Sequence, residues 1–326
     1  SMGRALIADP FLPTKAAEGR LEEILPCLSC NRCIQTLRKD AVRCTVNPEA
    51  GNEAQFRFSK SDQPKKVWIV GGGPGGLKAA EIATLRGHQV TLFEREPRLG
   101  GRMIFAALPP KKAVLNEYLG YLERRVTGLK VSLKMGKECT DEMVEAGKPD
   151  AVIVAAGAVP LRPNWPGVEE SGAISVEELL SRKQETIGER VLIVGAGGAG
   201  SEAADYLSEM GRKVTLVEML DSIAAELVTH LQHYLKLRLA SQGVEILTST
   251  RVKALGKGSA LIEDKMGERR IDGFDLIVIA AGWVPDQSLL NALQGKVAEL
   301  FVIGDASKPR EALEAVYEGE QLAVTI

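Results

Sequence analysis

The hydrophobic pattern of the chain repeats one arrangement twice. In residues 65–96 and 189–220, a short β-branched run is followed by a glycine-rich turn, an alanine-rich stretch with helical periodicity, and a second β-branched run near its end. This order predicts strand, helix and strand, with the two strands parallel. Two further apolar runs, 150–157 and 275–282, predict a buried central strand for each repeat. The chain is therefore predicted to have an α/β fold.

The two ends of the chain differ from the repeats. At the C-terminus, the apolar run Leu300–Ile303 predicts another strand, and the apolar spacing after it predicts an amphipathic helix beginning near Pro309. At the N-terminus, residues 1–64 carry most of the cysteines and several prolines without strand-like alternation. We therefore interpret residues 1–64 as a cysteine-rich leader without a large sheet.

Composition and charge exclude several classes of protein. The 326 residues include 41 basic and 43 acidic side chains with no sustained basic run, so a nucleic-acid partner is not expected. No apolar run reaches the roughly 18 residues that cross a bilayer, and the N-terminus lacks a basic region followed by an apolar one. We therefore expect a cytoplasmic protein that does not enter membranes.

Each repeat carries a glycine motif with the spacing of a dinucleotide-binding turn. In such a motif the first glycine permits a tight turn, the second lets the backbone approach a pyrophosphate, and the third lets helix and strand pack closely. Glu94 and Glu218 follow at the end of the second strands, where a carboxylate can accept hydrogen bonds from a ribose. Two Rossmann-like domains and two dinucleotides are therefore predicted, most simply a flavin and a nicotinamide. The motif glycines are Gly71, Gly73 and Gly76 in the first repeat and Gly195, Gly197 and Gly200 in the second.

A Gly-Asp pair near the C-terminus indicates which repeat binds the flavin. Asp305 follows Gly304 after a predicted buried strand, so its carboxylate faces the ligand crevice at the carboxyl end of the sheet and can hold a polyol chain. The helix predicted near Pro309 would direct the positive end of its dipole at the flavin. The first repeat and the C-terminus are therefore predicted to bind FAD, and the second repeat to bind NADH.

Residues 65–326 resemble the two-dinucleotide-binding flavoprotein superfamily, through both glycine motifs, the Gly-Asp pair and a turn that ends at Gly101. The resemblance implies an FAD domain made of residues 65–162 and 282–326, with Gly101 contributing to cofactor binding. It implies an NAD(H) domain, residues 163–281, inserted between these segments. Disulfide reductases of the superfamily carry a C-x4-C pair, and none follows Gly101, so dithiol chemistry is not expected.

Four of the five cysteines are clustered in the leader. Their tight spacing lets three thiolates reach three irons of a cluster, with a fourth thiolate from farther along the chain. A zinc site normally uses two well-separated pairs of ligands. We therefore expect a [4Fe-4S] cluster, with zinc or unligated thiols as the alternatives. The cluster cysteines are Cys27, Cys30, Cys33 and Cys44.

The leader resembles the junction in iron-sulfur flavoproteins related to old yellow enzyme, which include 2,4-dienoyl-CoA reductase, enoate reductase, trimethylamine dehydrogenase and NADH:flavin oxidoreductases. Residues 3–31 and the CTVNPEAG segment from Cys44 carry this resemblance, although the spacing from Cys30 to Cys33 is one residue shorter than the family's C-x3-C. The family implies hydride transfer from NADH to FAD. Single electrons then pass through the cluster to an FMN in an N-terminal TIM barrel, which reduces an activated alkene.

The sequence contains almost none of that barrel, since Gly3-Arg4 matches only its last phosphate-contacting turn. We therefore expect an NADH:flavin electron-input module, truncated from a longer protein that binds FMN and can form oligomers. One alternative is the small subunit of a glutamate-synthase-like amidotransferase, whose leader would carry more cysteines. Another is a non-redox scaffold in which the first fold stores ADP, although Asp305 and the intact second motif argue against it. The sequence alone does not identify a catalytic side chain.

Overall fold

The computed structural model describes residues 2–38 and 40–326, whose contacts divide the chain into two compact units. Two features differ from the predicted domains. The leader groups with unit 1 rather than standing apart, and Phe105–Ala113 groups with unit 2 rather than with the first repeat. Unit 1 contains the residues up to Ile104, Val114–Val159 and Val284–Ile326, and unit 2 contains Phe105–Ala113 and Pro160–Trp283.

Unit 1 is built on a five-stranded parallel sheet. Its strands are β1 (Lys66–Val70), β2 (Gln89–Glu94), β3 (Ser132–Met135), β4 (Ala151–Val154) and β15 (Glu299–Val302). They lie in the order β15-β4-β1-β2-β3, with Ile69 opposite Leu92 and Ile153. These three side chains are buried, because helices cover the sheet on both faces as parallel sheets require. β1 is therefore a central strand, and the glycine motif starts at its carboxyl end.

The helices of unit 1 hold the C-terminus against the first repeat. A Cβ on Gly319 would collide with the carbonyl oxygen of Gly75, and a Cβ on Gly75 would lie 2.7 Å from the carbonyl oxygen of Ala315. Glycine at both positions therefore lets the last helix approach the first helix of the repeat closely. These helices are α4 (Pro74–Leu85), α6 (Val114–Gly128), α7 (Asp141–Gly147), α11 (Ser288–Leu293) and α12 (Ala312–Thr325), and the short α5 (Met103–Ala106) lies where the chain leaves the unit.

The leader contains short helices and, within its described residues, no strand. Ala8, Leu25 and Val46 are buried in the same hydrophobic core as Leu77 of α4. The buried carboxylate of Asp9 also fixes the path of the chain, because it accepts a hydrogen bond of 2.9 Å from the N–H of Leu25. The leader is thus packed onto the first repeat. Its helices are α1 (Arg4–Ala8), α2 (Leu12–Ala17), a 3-10 turn (Leu21–Glu23) and α3 (Arg32–Leu37).

Unit 2 repeats the arrangement of unit 1 around β7 (Arg190–Val194). The other strands of its parallel sheet are β6 (Ile174–Ser175), β8 (Lys213–Val217), β9 (Glu245–Leu247) and β13 (Leu276–Ile279). They lie in the order β6-β13-β7-β8-β9, with Leu192 opposite Thr215 and Ile277. An antiparallel sheet of β10 (Arg251–Gly256), β11 (Ser259–Asp264) and β12 (Gly267–Asp272) is added, which the sequence pattern did not predict. The helices are α8 (Val176–Ser181), a 3-10 turn (Gln184–Thr186), α9 (Gly198–Glu209) and α10 (Thr229–Ser241).

The chain passes between the units through two short strands, β5 (Ala158–Pro160) and β14 (Trp283–Pro285), which pair with each other. The strand-helix-strand order predicted for each repeat is confirmed, as β1-α4-β2 and as β7-α9-β8. Among the described residues, none of the helices combines the length and the apolar character needed to span a bilayer.

Candidate functional site

The first glycine turn joins β1 to α4 in unit 1. Gly71 has a φ of +112°, and a Cβ there would collide with the carbonyl oxygen of Ala155, which follows β4. A Cβ on Gly76 would in turn collide with the carbonyl oxygen of Gly71. At Gly73 a Cβ would meet no other atom within 4 Å. The first and third glycines are therefore required by the fold itself, whereas the second leaves open space in front of the helix.

Glu94 closes this turn from the end of β2. Its Oε2 accepts a hydrogen bond of 2.7 Å from the N–H of Gly72, and its Oε1 accepts one of 2.8 Å from the N–H of Glu96. The side chain is buried. Each carboxylate oxygen has further lone-pair capacity, so Glu94 can hold the turn and also accept a hydrogen bond from a ribose hydroxyl.

The turn that ends at Gly101 lies against the first glycine turn. The N–H of Gly100 donates a hydrogen bond of 2.8 Å to the carbonyl oxygen of Gly72. A Cβ on Gly101 would lie 3.1 Å from the Cα of Gly73. The structure therefore brings Gly101 beside the open space at Gly73, so that small residues line both sides of it.

Asp305 lies just beyond β15, at the same carboxyl edge of the sheet as the first glycine turn. Gly304 has a φ of +62°, which turns the backbone sharply before the carboxylate. Asp305 Oδ1 accepts a hydrogen bond of 3.0 Å from the N–H of Arg310, and its Oδ2 lies 3.1 Å from Nη1 of Arg102. Asp305 is thus held in place from two sides, and it remains partly exposed.

The predicted C-terminal helix is confirmed as α12, but it begins later than the expected position near Pro309. α12 starts at Ala312, with Glu311 as its N-cap. Glu311 has an extended backbone, with φ of −92° and ψ of 166°, so Arg310, whose N–H donates to Asp305, lies before the helix. The N-terminus of α12 therefore lies about a turn farther along the chain than the sequence suggested.

The second glycine turn, between β7 and α9 in unit 2, has the same geometry. Gly195 has a φ of +99°, and a Cβ there would collide with the carbonyl oxygen of Ala280, which follows β13. A Cβ on Gly200 would collide with the carbonyl oxygen of Gly195. Glu218 is buried, and its Oε2 accepts a hydrogen bond of 2.7 Å from the N–H of Ala196. The glycine turns of the two repeats therefore have the same backbone geometry.

Two acidic side chains of unit 2 that motif spacing does not identify lie on this turn and its helix. Glu226 accepts a hydrogen bond from the N–H of Gly198, and a Cβ on Gly197 would lie 3.0 Å from its Oε1. Glu202, in the first turns of α9, forms an ion pair of 2.5 Å with Lys112. No sequence motif identifies either residue, because Glu226 lies in an irregular loop and Lys112, the partner of Glu202, is distant from it in sequence.

The four leader cysteines line one pocket of unit 1, together with Arg4, Ile7, Leu28, Asn31, Thr45 and Val46. Ser29 and Asn31, which flank Cys30, both have left-handed backbone conformations with φ of 55° and 59°. These two residues curl the segment so that its thiols face one space. Cys139, by contrast, is buried in a different apolar cluster. The structure thus separates the four clustered thiols from the fifth.

Burial affects the acidity of two of these thiols. It raises the pKa of the Cys44 thiol above its ordinary value, and it raises that of Cys33 with a further contribution from the neighbouring Cys30. A bound metal centre would reverse these shifts, because a coordinating thiol is deprotonated. Among residues 2–38 and 40–326, no three His, Cys, Asp or Glu side chains converge as a single metal ion requires.

The chain is similar to known oxidoreductases over nearly its whole length. Residues 65–319 match the family described as pyridine nucleotide-disulphide oxidoreductase. The chain is 36% identical over 339 residues to an NADH oxidase of Thermoanaerobacter brockii, an alignment that covers 99% of this chain and 51% of that protein. It is 33% identical over 327 residues to a bilirubin reductase of Mediterraneibacter gnavus, covering 100% of this chain and 51% of that protein.

A solved structure supports the same relationship. The complex of 2-naphthoyl-CoA reductase with 2-naphthoyl-CoA matches with a TM-score of 0.93 and 29% identity, over 99% of this chain and 50% of that one. The predicted two-dinucleotide-binding flavoprotein fold is thereby confirmed. The chain spans about half the length of the relatives that it matches.

Proposed function

Because this chain belongs to the pyridine nucleotide-disulphide oxidoreductase family, we propose that it is the electron-input part of a larger flavoprotein, oxidising NADH through FAD and passing electrons to a [4Fe-4S] cluster. The observation that carries this proposal is the glycine turn that occurs once in each unit with the same backbone geometry. When bound, FAD accepts a hydride and releases electrons singly, which is the conversion that links a nicotinamide to an iron-sulfur cluster.

Unit 1 is the proposed FAD domain. Gly71 and Gly76 shape the turn, and the open space at Gly73 admits the pyrophosphate to the N-terminus of α4. Glu94 is assigned to the adenosine ribose and Asp305 to the ribityl chain. Their roles are supported by their position at the carboxyl edge of one parallel sheet, where open α/β sheets bind their ligands. Gly101 and Gly304 are assigned to the same cofactor site, because Gly101 lies against Gly73 and the positive φ of Gly304 turns the backbone before Asp305.

Unit 2 is the proposed NADH domain. Gly195, Gly197 and Gly200 form its turn, and Glu218 directly follows β8, where it can accept hydrogen bonds from the adenosine ribose. Its carboxylate is oriented by the backbone N–H of the turn, so little reorganisation is needed when a ribose arrives.

The leader is the proposed cluster site, with Cys27, Cys30, Cys33 and Cys44 as ligands. Support comes from the four thiols that line one pocket and from the left-handed residues that curl the tight segment around it. A zinc ion needs all its thiolates about 2.3 Å from one point, whereas a cubane spreads its four ligands over four irons. The tight spacing of Cys27, Cys30 and Cys33, in place of two well-separated pairs, therefore favours the cluster over zinc.

The activity of the whole protein is a further part of this proposal. Since the chain spans about half of its relatives, we infer that an FMN-binding barrel receives the electrons and reduces an activated alkene. The names of the relatives, bilirubin reductase and 2-naphthoyl-CoA reductase, describe reductions of conjugated substrates and support this class of acceptor. The chain alone is expected to reduce only artificial acceptors such as ferricyanide.

An anaerobic titration with NADH tests the proposal directly. Protein reconstituted with FAD, iron and sulfide should lose its flavin absorption on addition of NADH, and electron paramagnetic resonance should then detect a reduced cluster. Cys44→Ala protein is the matched control, since its flavin should still be reduced while the cluster signal is missing. Flavin that stays oxidised under excess NADH in both proteins would show that the proposed function is wrong.

The second site is expected to prefer NADH to NADPH. Glu218 is followed by the exposed Met219 and Leu220, so no adjacent cation is available for a 2′-phosphate, which the carboxylate would repel. A hydrogen bond to a charged group contributes about 1.5–3 kcal/mol, so we expect a preference of roughly tenfold or more in flavin reduction at limiting cofactor. Leu220→Arg should narrow the preference by improving NADPH. Equal rates with both cofactors in the parent protein would contradict the prediction.

A further inference from the structure

The two glycine turns differ in what lies in front of them. In unit 1, a Cβ on Gly73 would meet no atom within 4 Å. In unit 2, Cβ atoms on Gly197 and Gly198 would lie 3.0 Å and 3.2 Å from Oε1 of Glu226. A carboxylate of the protein itself therefore lies at the second turn, and the first turn has open space at the matching glycine.

The carboxylate of Glu226 occupies the place where an anion binds most readily. The N–H of Gly198, the first residue of the twelve-residue helix α9, donates a hydrogen bond to Glu226 Oε1. The N-terminus of a helix carries positive partial charge and unpaired N–H groups, which is why dinucleotide pyrophosphates bind there. The proposed pyrophosphate and Glu226 therefore require the same N–H group.

The backbone that carries Glu226 is held firmly against the turn. Ala224 adopts a left-handed conformation with φ of +49°, rare for a residue with a Cβ, and its N–H donates a hydrogen bond of 2.7 Å to the carbonyl oxygen of Ala196. Gln232 Nε2 donates one of 2.7 Å to the carbonyl oxygen of Ile223. Ile223 and Ala224 are buried and Glu226 is exposed, so the loop is anchored in the core while its carboxylate lies at the solvent-accessible turn.

We propose that Glu226 sets the affinity of the second site by competing with the pyrophosphate of the nicotinamide dinucleotide for the N-terminus of α9. This inference rests on the proposed function of unit 2. The carboxylate must leave before the cofactor binds. The apparent affinity for the dinucleotide is therefore the intrinsic affinity multiplied by the fraction of molecules in which Glu226 has left the turn. A cofactor that must exchange in every turnover then binds reversibly, whereas the open turn of unit 1 retains its flavin.

Calorimetry with NAD⁺ on the FAD-loaded chain tests this competition. Removing a carboxylate from an exposed helix N-terminus should tighten NAD⁺ binding by about two- to fivefold in both Glu226→Gln and Glu226→Ala. Glu209→Gln is the matched control, because it removes the same charge from the opposite end of α9, where it should leave the dissociation constant unchanged. The difference between parent and Glu226→Gln should also shrink at high ionic strength, since exposed charges are screened.

Each outcome of this calorimetry either supports or overturns the competition between Glu226 and the pyrophosphate. Tighter binding in both Glu226 variants with no change in Glu209→Gln supports the competition. Unchanged or weaker binding in the Glu226 variants, with normal binding by the parent, overturns this inference and leaves the proposed function standing. An equal gain in Glu209→Gln also overturns it, because the effect would then be one of net charge. If the parent and every variant fail to bind NAD⁺, the proposed NADH site is wrong, and the inference falls with it. If Glu226→Ala does not fold, Glu226→Gln decides alone.

Discussion

Replacing Cys44 with alanine is expected to abolish the iron-sulfur cluster of anaerobically reconstituted protein, whereas Cys139→Ala should retain it in full. Cys44 is one of four thiols around a single pocket, and loss of any one ligand should release or convert a four-iron cluster. Cys139 is buried among Val144 and Leu293 and lines no part of that pocket. Iron and sulfide assays, with the broad visible absorption of the cluster, measure the difference.

The same assays distinguish the alternatives for this site. Zinc in place of iron in the parent protein would contradict the cluster assignment, and so would equal iron content in the two cysteine variants. Because Cys139→Ala removes a buried side chain, its thermal stability should fall while its iron content does not. A cluster that survives in Cys44→Ala would show that another ligand replaces this thiol.

The features that the sequence predicted correctly are those with local physical causes. The glycine of positive φ at Gly71 and the close approach at Gly76 depend on residues within one strand-turn-helix unit, so a motif of fixed spacing identifies them. The buried strands of both repeats were recognisable because strands covered on both faces are continuously apolar. Repetition of the pattern in the second half of the chain then identified two units of the same kind.

The features that the sequence did not predict depend on contacts between distant residues. The leader packs on α4 through residues such as Leu25, which carry no sign of their partner in the sequence. The start of α12 was placed too early because the backbone at Glu311 is extended, with φ of −92° and ψ of 166°, which helical periodicity cannot reveal. Glu226 was missed for the same reason, since only the folded loop brings its carboxylate to Gly198.

Gly73→Ala is expected to separate FAD binding from folding. Gly73 has a φ of −74° and a ψ of 175°, which alanine adopts freely, and its Cβ would meet no protein atom within 4 Å. The apoprotein should therefore be at least as stable as the parent. The added methyl group fills the space proposed for the pyrophosphate, and overpacking there costs about 1–3 kcal/mol. FAD affinity should fall by about ten- to hundredfold, as measured by fluorescence titration of the apoprotein.

Gly76→Ala and Gly128→Ala complete this comparison. A Cβ on Gly76 would collide with the carbonyl oxygen of Gly71, so this variant should lower the free energy of unfolding by about 1–3 kcal/mol as well as weaken FAD binding. Gly128, at the end of α6, also has open space around its Cβ position, so Gly128→Ala should leave FAD binding unchanged and should not lower the free energy of unfolding. If Gly73→Ala bound FAD as tightly as Gly128→Ala, the open space at the first turn would not be the pyrophosphate site. If it instead unfolded like Gly76→Ala, the requirement for glycine at this position would come from the fold and not from the cofactor.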